Sequence, residues 1–237
     1  MKASERIRDA IADVSELRQM AAGRPELAHA LHEVKTWQSR RFATTYHDLL
    51  GSEDYGGCAQ FFLEELYSER DYSHRDAQFA RVAGAIELTF PAHVVNIALS
   101  LAELHATTER LDLSMAKCWE QADQAPTMER YKAAWQAVGE PATRLWQLDT
   151  VLHIGQELTE LTKKTSLRIL LKMMRRPAEM AGLGDLQTFL ETGFDRFGRL
   201  AKTGDHAGYF LATIGERERR WINDLYAAGH PILNRCR

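Results

Sequence analysis

Apolar residues recur along this chain at steps of three and four, the spacing that lines one face of an α-helix, and nowhere in a convincing two-residue alternation bounded by turn signals. That periodicity predicts an all-α fold, a single compact multi-helix bundle of about nine or ten helices with short links. The 237 residues suffice to bury a sizeable core, and 45% hydrophobic against 27% charged residues is the composition of an ordinary globular protein. No stretch reads as a linker and no solenoid repeat is found, so 1–237 is expected to be one helical domain, with a weak seam near 123–127.

Capping and breaking residues divide the chain. A first helix runs from about Ser4 to Ala22, and Gly23-Arg24-Pro25 starts a second from Glu26 to about Leu50. After the interruption Gly51-Ser52-Glu53-Asp54, a helix from about Gly57 to Tyr67 carries Phe61, Phe62, Leu63 and Leu66. Ser73-His74-Arg75-Asp76 has the capping-box form, in which the serine accepts from an orphan amide and the acid reaches back, so a helix starts there and ends at Phe90-Pro91. Pro91 to about Ala122 reads as one long helix, and Ala125-Pro126 and Glu140-Pro141 mark two further starts, because proline gives up no needed N–H in a first turn. A helix over about Ala142–Lys163 precedes a basic one, Ser166–Arg176, interrupted or kinked at Pro177. Gly182-Leu183-Gly184-Asp185 supplies a stop and an N-cap before about Leu186–Leu200; Gly204-Asp205 repeats the device before a last helix ending near Gly229-His230-Pro231.

Charge and cysteine usage narrow the function classes. Thirty basic against 33 acidic residues give a net −3, which argues against a surface that coats nucleic acid, and no helix-turn-helix pattern points to sequence-specific nucleic-acid reading. No apolar run approaches the roughly 18 residues of a membrane span, and the charged opening does not read as a signal peptide. Three widely separated cysteines, Cys58, Cys118 and Cys236, lack any CxxC or zinc-ligand spacing and fit a reducing cytoplasm.

Nucleophile elbow, P-loop and dinucleotide fingerprints are all missing from the sequence, and nothing in it calls for a cofactor. Gly56-Gly57-Cys58 puts a thiol in the first turn of a helix, where the dipole favours thiolate, although a small buried apolar cysteine is the commoner use. Among the nine histidines, Glu26-x-x-His29, followed by Glu33, has the spacing of a di-iron ligand pair, but the second pair that such a centre needs is lacking: Asp71-x-x-His74 falls in a loop. His105, Glu109 and Asp112 form one helical row and Asp149, His153 and Glu157 another. Facing each other they would allow a metal-dependent enzyme using His105, Glu109, His153 and Glu157; solvated or locally paired faces are the stronger expectation.

Lys164, Arg168, Lys172 and Arg176 repeat at four-residue steps, with Lys163 and Arg175 beside them, as a positive strip suited to a phosphate, an anionic lipid head group or an acidic partner. The opposing reading is a solvated face placed favourably towards a helix C-terminus. Leu186, Leu190, Phe194 and Phe197 have core spacing, and Phe189 lies beside them. Gly193 and Gly198 lie inside the same helix at a cost of about 1 kcal/mol each, so a helix or a ligand must approach closely there.

Several strings, Tyr46-His47-Asp48-Leu49-Leu50, Phe61-Phe62-Leu63 through Leu66-Tyr67, Arg75-Asp76, Ala102-Glu103-Leu104-His105, and Arg176-Pro177-Ala178 through Ala181-Gly182-Leu183 into Leu186-Gln187-x-Phe189-Leu190-Glu191-x-Gly193-Phe194, resemble a group of uncharacterised all-helical bacterial proteins, chiefly proteobacterial, over about residues 38 to 222. The resemblance implies a helical fold and a bacterial cytoplasmic setting, and no activity. The leading expectation is therefore a non-catalytic binding or regulatory protein. Its apolar cleft would be at Phe189, Gly193, Phe194 and Phe197, with Lys164, Arg168, Lys172 and Arg176 nearby to take the anionic end of a small amphipathic ligand such as an acyl or aromatic acid. A homodimer formed through exposed apolar surface is a third reading.

Overall fold

The computed structural model describes residues 1–67, 70–121 and 127–227. The expected seam (except Thr127), the Ala125-Pro126 start, Cys236 and the stop at Gly229-His230-Pro231 lie outside them. The described residues form eleven helices and no strand: α1 (Ala3–Ala22), α2 (Pro25–Thr45), α3 (His47–Leu50), α4 (Gly56–Glu65), α5 (Ser73–Thr89), α6 (Ala92–Gln121), α7 (Thr127–Val138), α8 (Pro141–Thr162), α9 (Thr165–Met180), α10 (Gly184–Leu200) and α11 (His206–Ala227).

Several boundaries differ from the sequence expectation for physical reasons. The helix expected to run to Leu50 breaks at Tyr46, whose backbone leaves the helical region and whose fully buried ring sends its hydroxyl to Glu218 at 2.8 Å. The capping box at Ser73 does not form. Ser73 is already helical, its N–H donates to Asp71 Oδ1 at 2.9 Å, and Asp76, expected to reach back, points inward instead. Pro177 does not end α9, which continues to Met180. The carbonyl four residues before the proline has no N–H to receive, but Met173 and Pro177 are both exposed, so water can serve it. The stop at Gly182 is real, with φ +64°, whereas Leu183 rather than Asp185 occupies the N-cap of α10.

A further turn was not anticipated. Glu140, before Pro141, adopts a left-handed conformation with φ +58°, uncommon for a residue with a side chain. Both of its carboxylate oxygens accept from Arg110 of α6, at 2.7 and 2.8 Å, which fastens the α7–α8 turn to the long helix.

The 30-residue α6 packs against α1, α2, α7 and α8, and three apolar clusters gather around this arrangement. One joins α2, α6, α7 and the end of α11 through Leu27, Val34, Met115, Trp119, Trp135 and Leu225. A second joins α2, α4, α10 and α11 through Phe42, Tyr46, Phe62, Phe197 and Phe210. The third joins α1, α5 and α6 through Ile7, Ile11, Phe79 and Leu99.

Close approach of α8 and α11 depends on two glycines. A Cβ at Gly155 would stand 2.6 Å from Leu211 Cδ2, and one at Gly215 would stand 2.9 Å from Leu152 Cδ1, so each helix lodges a leucine against the other's bare backbone. Valine at either position is expected to force the helices apart and to lower stability by about 2 kcal/mol, read from denaturant midpoints at unchanged slope.

Candidate functional site

The row His105, Glu109 and Asp112 on α6 faces inward, and basic or amide groups from α1 and α2 meet it. Arg18 donates to Asp76 Oδ2 at 2.8 Å and to Glu109 Oε1 at 3.2 Å, while Lys35 Nζ donates to Glu109 Oε2 at 2.9 Å. His105 Nε2 lies 2.9 Å from Asp76 Oδ2. Burial opposes the charged forms, yet His105 and Arg18 hold the Asp76 carboxyl below its usual range, and Lys35 and Arg18 do the same for Glu109. Asp112 differs. It is buried, accepts from Gln38 Nε2 at 3.0 Å, and is pushed upward by desolvation, with Lys35 and the stacked Arg144 opposing.

The second row turns elsewhere. Asp149 accepts from Arg219 of α11 at 2.6 Å, and His153 is exposed. No cluster of three or more His, Cys, Asp or Glu side chains placed to hold a metal occurs among the described residues, so His105, Glu109, His153 and Glu157 do not converge. Arg18 and Lys35 take the oxygens that a cation would need. The Cys58 thiol is buried, and desolvation pushes it up to about 12 despite the nearby Arg196, which removes the thiolate that a helix terminus would favour.

The second aromatic cluster is filled by protein. Phe189 stacks on Phe61 of α4 at 5.8 Å, and Phe197 meets Phe62 and the edge of Phe210. The close approaches expected at the two glycines are made by side chains: Phe61 lies over Gly193, and the Arg168 guanidinium lies over Gly198. Phe189, Gly193 and Phe197 therefore face neighbouring helices. Only Phe194 shares space with the basic strip, in a hollow of about 20 Å³ with Arg168, Lys172 and Arg175, room for one water.

The strip itself lies on the most exposed helix of the fold. Ala178 is the one buried residue of α9. Six of the chain's 30 basic residues and none of its 33 acidic ones fall in 163–178, so this segment carries +6 and the remaining residues −9 within the total of −3. Lys163 pairs with Glu160 and Arg175 with Glu191, whereas Lys164, Lys172 and Arg176 have no ion-pair partner among the described residues. The helix-dipole account of these charges does not hold: α9 runs past them to Met180, its last turn has no basic residue, and Lys164 sits at the N-cap, the unfavourable end.

A second feature of α9 is an exposed apolar row. Helical spacing puts Leu167, Leu170 and Met174 opposite the strip; Leu167 does face the body, with Leu171 and Ala178, but Leu170 is 38% exposed, Met174 46%, Ile169 53%, Met173 70% and Met180 85%. At about 100° per residue, Ile169, Met173 and Met180 fall within about 40° of one another, with Arg176 and Lys172 bordering them. The signal was present in the spacing of 169, 173 and 180, but whether a helix covered that row was not.

An open groove of about 820 Å³ between α8 and α11 is lined by Leu152, Leu211, Ala212 and Gly215, with charges at its rim. Two of those charges are paired, Arg220 with Glu216 at 2.7 Å and Arg219 with Asp149 at 2.6 Å.

An all-helical protein with its buried carboxylates matched internally and a cationic, amphipathic helix unmatched outside is the class that these features define. The chain belongs to the family described as a domain of unknown function (DUF8198), whose model matches residues 17–231. No curated protein and no solved structure matches it.

Arg18→Met is expected to leave Asp76 and Glu109 undercompensated and to cost about 3 kcal/mol in chemical denaturation. Asp112 has the opposite sign: its folded pKa lies above the unfolded one, so its contribution is present below the unfolded value and lost as pH rises. Asp112→Asn, which keeps an acceptor for Gln38, should raise the melting temperature near neutral pH and give no gain near pH 4, as a pH series of thermal melts would show.

Proposed function

We propose that this is a non-catalytic binding protein, whose working surface is the outer side of α9 and whose ligand is amphipathic with an anionic end. The observation that carries the reading is the adjacency of unpaired Lys172 and Arg176 to exposed Ile169 and Met173 on one helix. Lysine and arginine supply the charge-assisted hydrogen bonds that a phosphate or carboxylate accepts, while the apolar row offers a place for hydrocarbon. Arg168, resting on Gly198 beside Phe194, and Lys164 extend the cationic side. Phe189, Gly193 and Phe197 belong to the packing of α10 against α4 and α11 and are not assigned ligand contacts. The resemblance of the sequence strings and the wide separation of the cysteines support a bacterial cytoplasmic setting.

Octyl phosphate in monomeric form should raise the melting temperature by a few degrees, since a ligand that binds only the native state stabilises it. Octyl glucoside, with the same chain and no charge, should not. Lys172→Glu/Arg176→Glu should abolish the shift, and no shift in the unaltered protein would overturn the reading.

A further inference from the structure

Resting on the reading of α9 as an anion-binding amphipathic surface, we propose that its partner is the anionic face of a lipid bilayer, on which α9 lies flat in the interface. Three observations lead there. First, the apolar face of α9 is wider than its contact with the body, with Leu170 38% and Met174 46% exposed between its two edges. Leu167, Leu171 and Ala178 attach it to the body, and Ile169, Met173 and Met180 project outward with no element over them among the described residues. An outward ridge on a helix about 24 Å long is convex, and offers a second protein no pocket, whereas lipid head groups part to admit it.

Second, the charges have the arrangement that such docking needs. Lys172 and Arg176 border the ridge, their long stems allow the charged ends to reach phosphates while the methylenes follow the apolar row, and the one acid of the helix, Glu179, stands in its last turn. Each basic group near an anionic leaflet adds to attraction, and the −9 carried by the rest of the chain turns the molecule so that α9 leads.

Third, the same charge pattern disfavours the obvious alternative. Symmetric pairing of two copies through α9 would set one +6 segment against another, with Lys164, Lys172 and Arg176 unneutralised on both. The apolar part accounts for depth and the cationic part for lipid choice, so the two are separable by mutation.

Flotation of the full chain with phosphatidylglycerol–phosphatidylcholine vesicles, and with phosphatidylcholine alone, tests this. Binding is expected to the anionic vesicles only and to weaken as salt rises. Lys172→Glu/Arg176→Glu should weaken it at least about tenfold, and Ile169→Ser/Met173→Ser should weaken it while leaving the charge intact. All four positions are exposed, so circular dichroism melts should match the unaltered protein. Equal binding to both vesicle types, or binding indifferent to either double substitution, would overturn the proposal. Absence of vesicle binding with the octyl phosphate shift intact would overturn the bilayer and leave the ligand reading standing; absence of both would remove both. Tight binding of a polyglutamate peptide with no vesicle binding would also overturn it, in favour of an acidic protein partner.

Discussion

A carboxylate taken out of water must be met by a cation or by donors, and in this fold that requirement ties together helices far apart in the chain. Arg18 of α1 bridges Asp76 of α5 and Glu109 of α6, and Lys35 of α2 completes Glu109. Arg41 of α2 and Glu218 of α11, 177 positions apart, form a two-pronged pair that Tyr46 also joins. Apolar packing is non-directional and tolerates sliding; these contacts do not, because a shift of one helical turn would strand a buried charge at a cost of several kcal/mol. The ion pairs therefore set the register in which the three apolar clusters close.

That constraint also explains the location of the candidate site. The inward rows of ionisable residues are consumed in holding the helices together, so a row of His, Glu and Asp that looks like chemistry in the sequence serves architecture. Lys164, Lys172 and Arg176 stay without an ion pair among the described residues, and they belong to α9 and its N-cap, a helix attached along one side to α10 and α8 and otherwise facing solvent. Substitution on its outer side disturbs no core contact, which leaves that surface free to be shaped by a partner rather than by stability. In the α8–α11 groove, by contrast, both arginines of the rim are already paired with acids, Arg219 with Asp149 and Arg220 with Glu216.

Helical class, most breaks between helices and the basic strip were legible because each depends on local physics: periodicity, proline and glycine geometry, and fixed charge. Tyr46 shows the limit of such reading. Its neighbours favour one continuous helix, and only a hydroxyl acceptor on α11 makes the break worthwhile. Ser73 and Asp76 match a capping pattern, yet Arg18 and His105 offer the acid a better partner than its own backbone. The aromatics of α10 have the spacing of a core or of a cleft, and no one-dimensional pattern could say that rings from α4 and α11 fill the space between them.

Helical class, the rough places where helices stop and the concentration of positive charge on one helix all follow from the identities of residues within a few turns of each other. The three-dimensional fold settled which faces meet. It turned one histidine row towards Arg18 and Asp76 and the other towards solvent and α11, closed the aromatic cleft, and left Ile169, Met173 and Met180 uncovered. The physical reason is that burial and pairing are properties of two surfaces at once: a helix carries its pattern in its own sequence, but its partner is chosen by competition among all the others for the same apolar area and the same counter-charges.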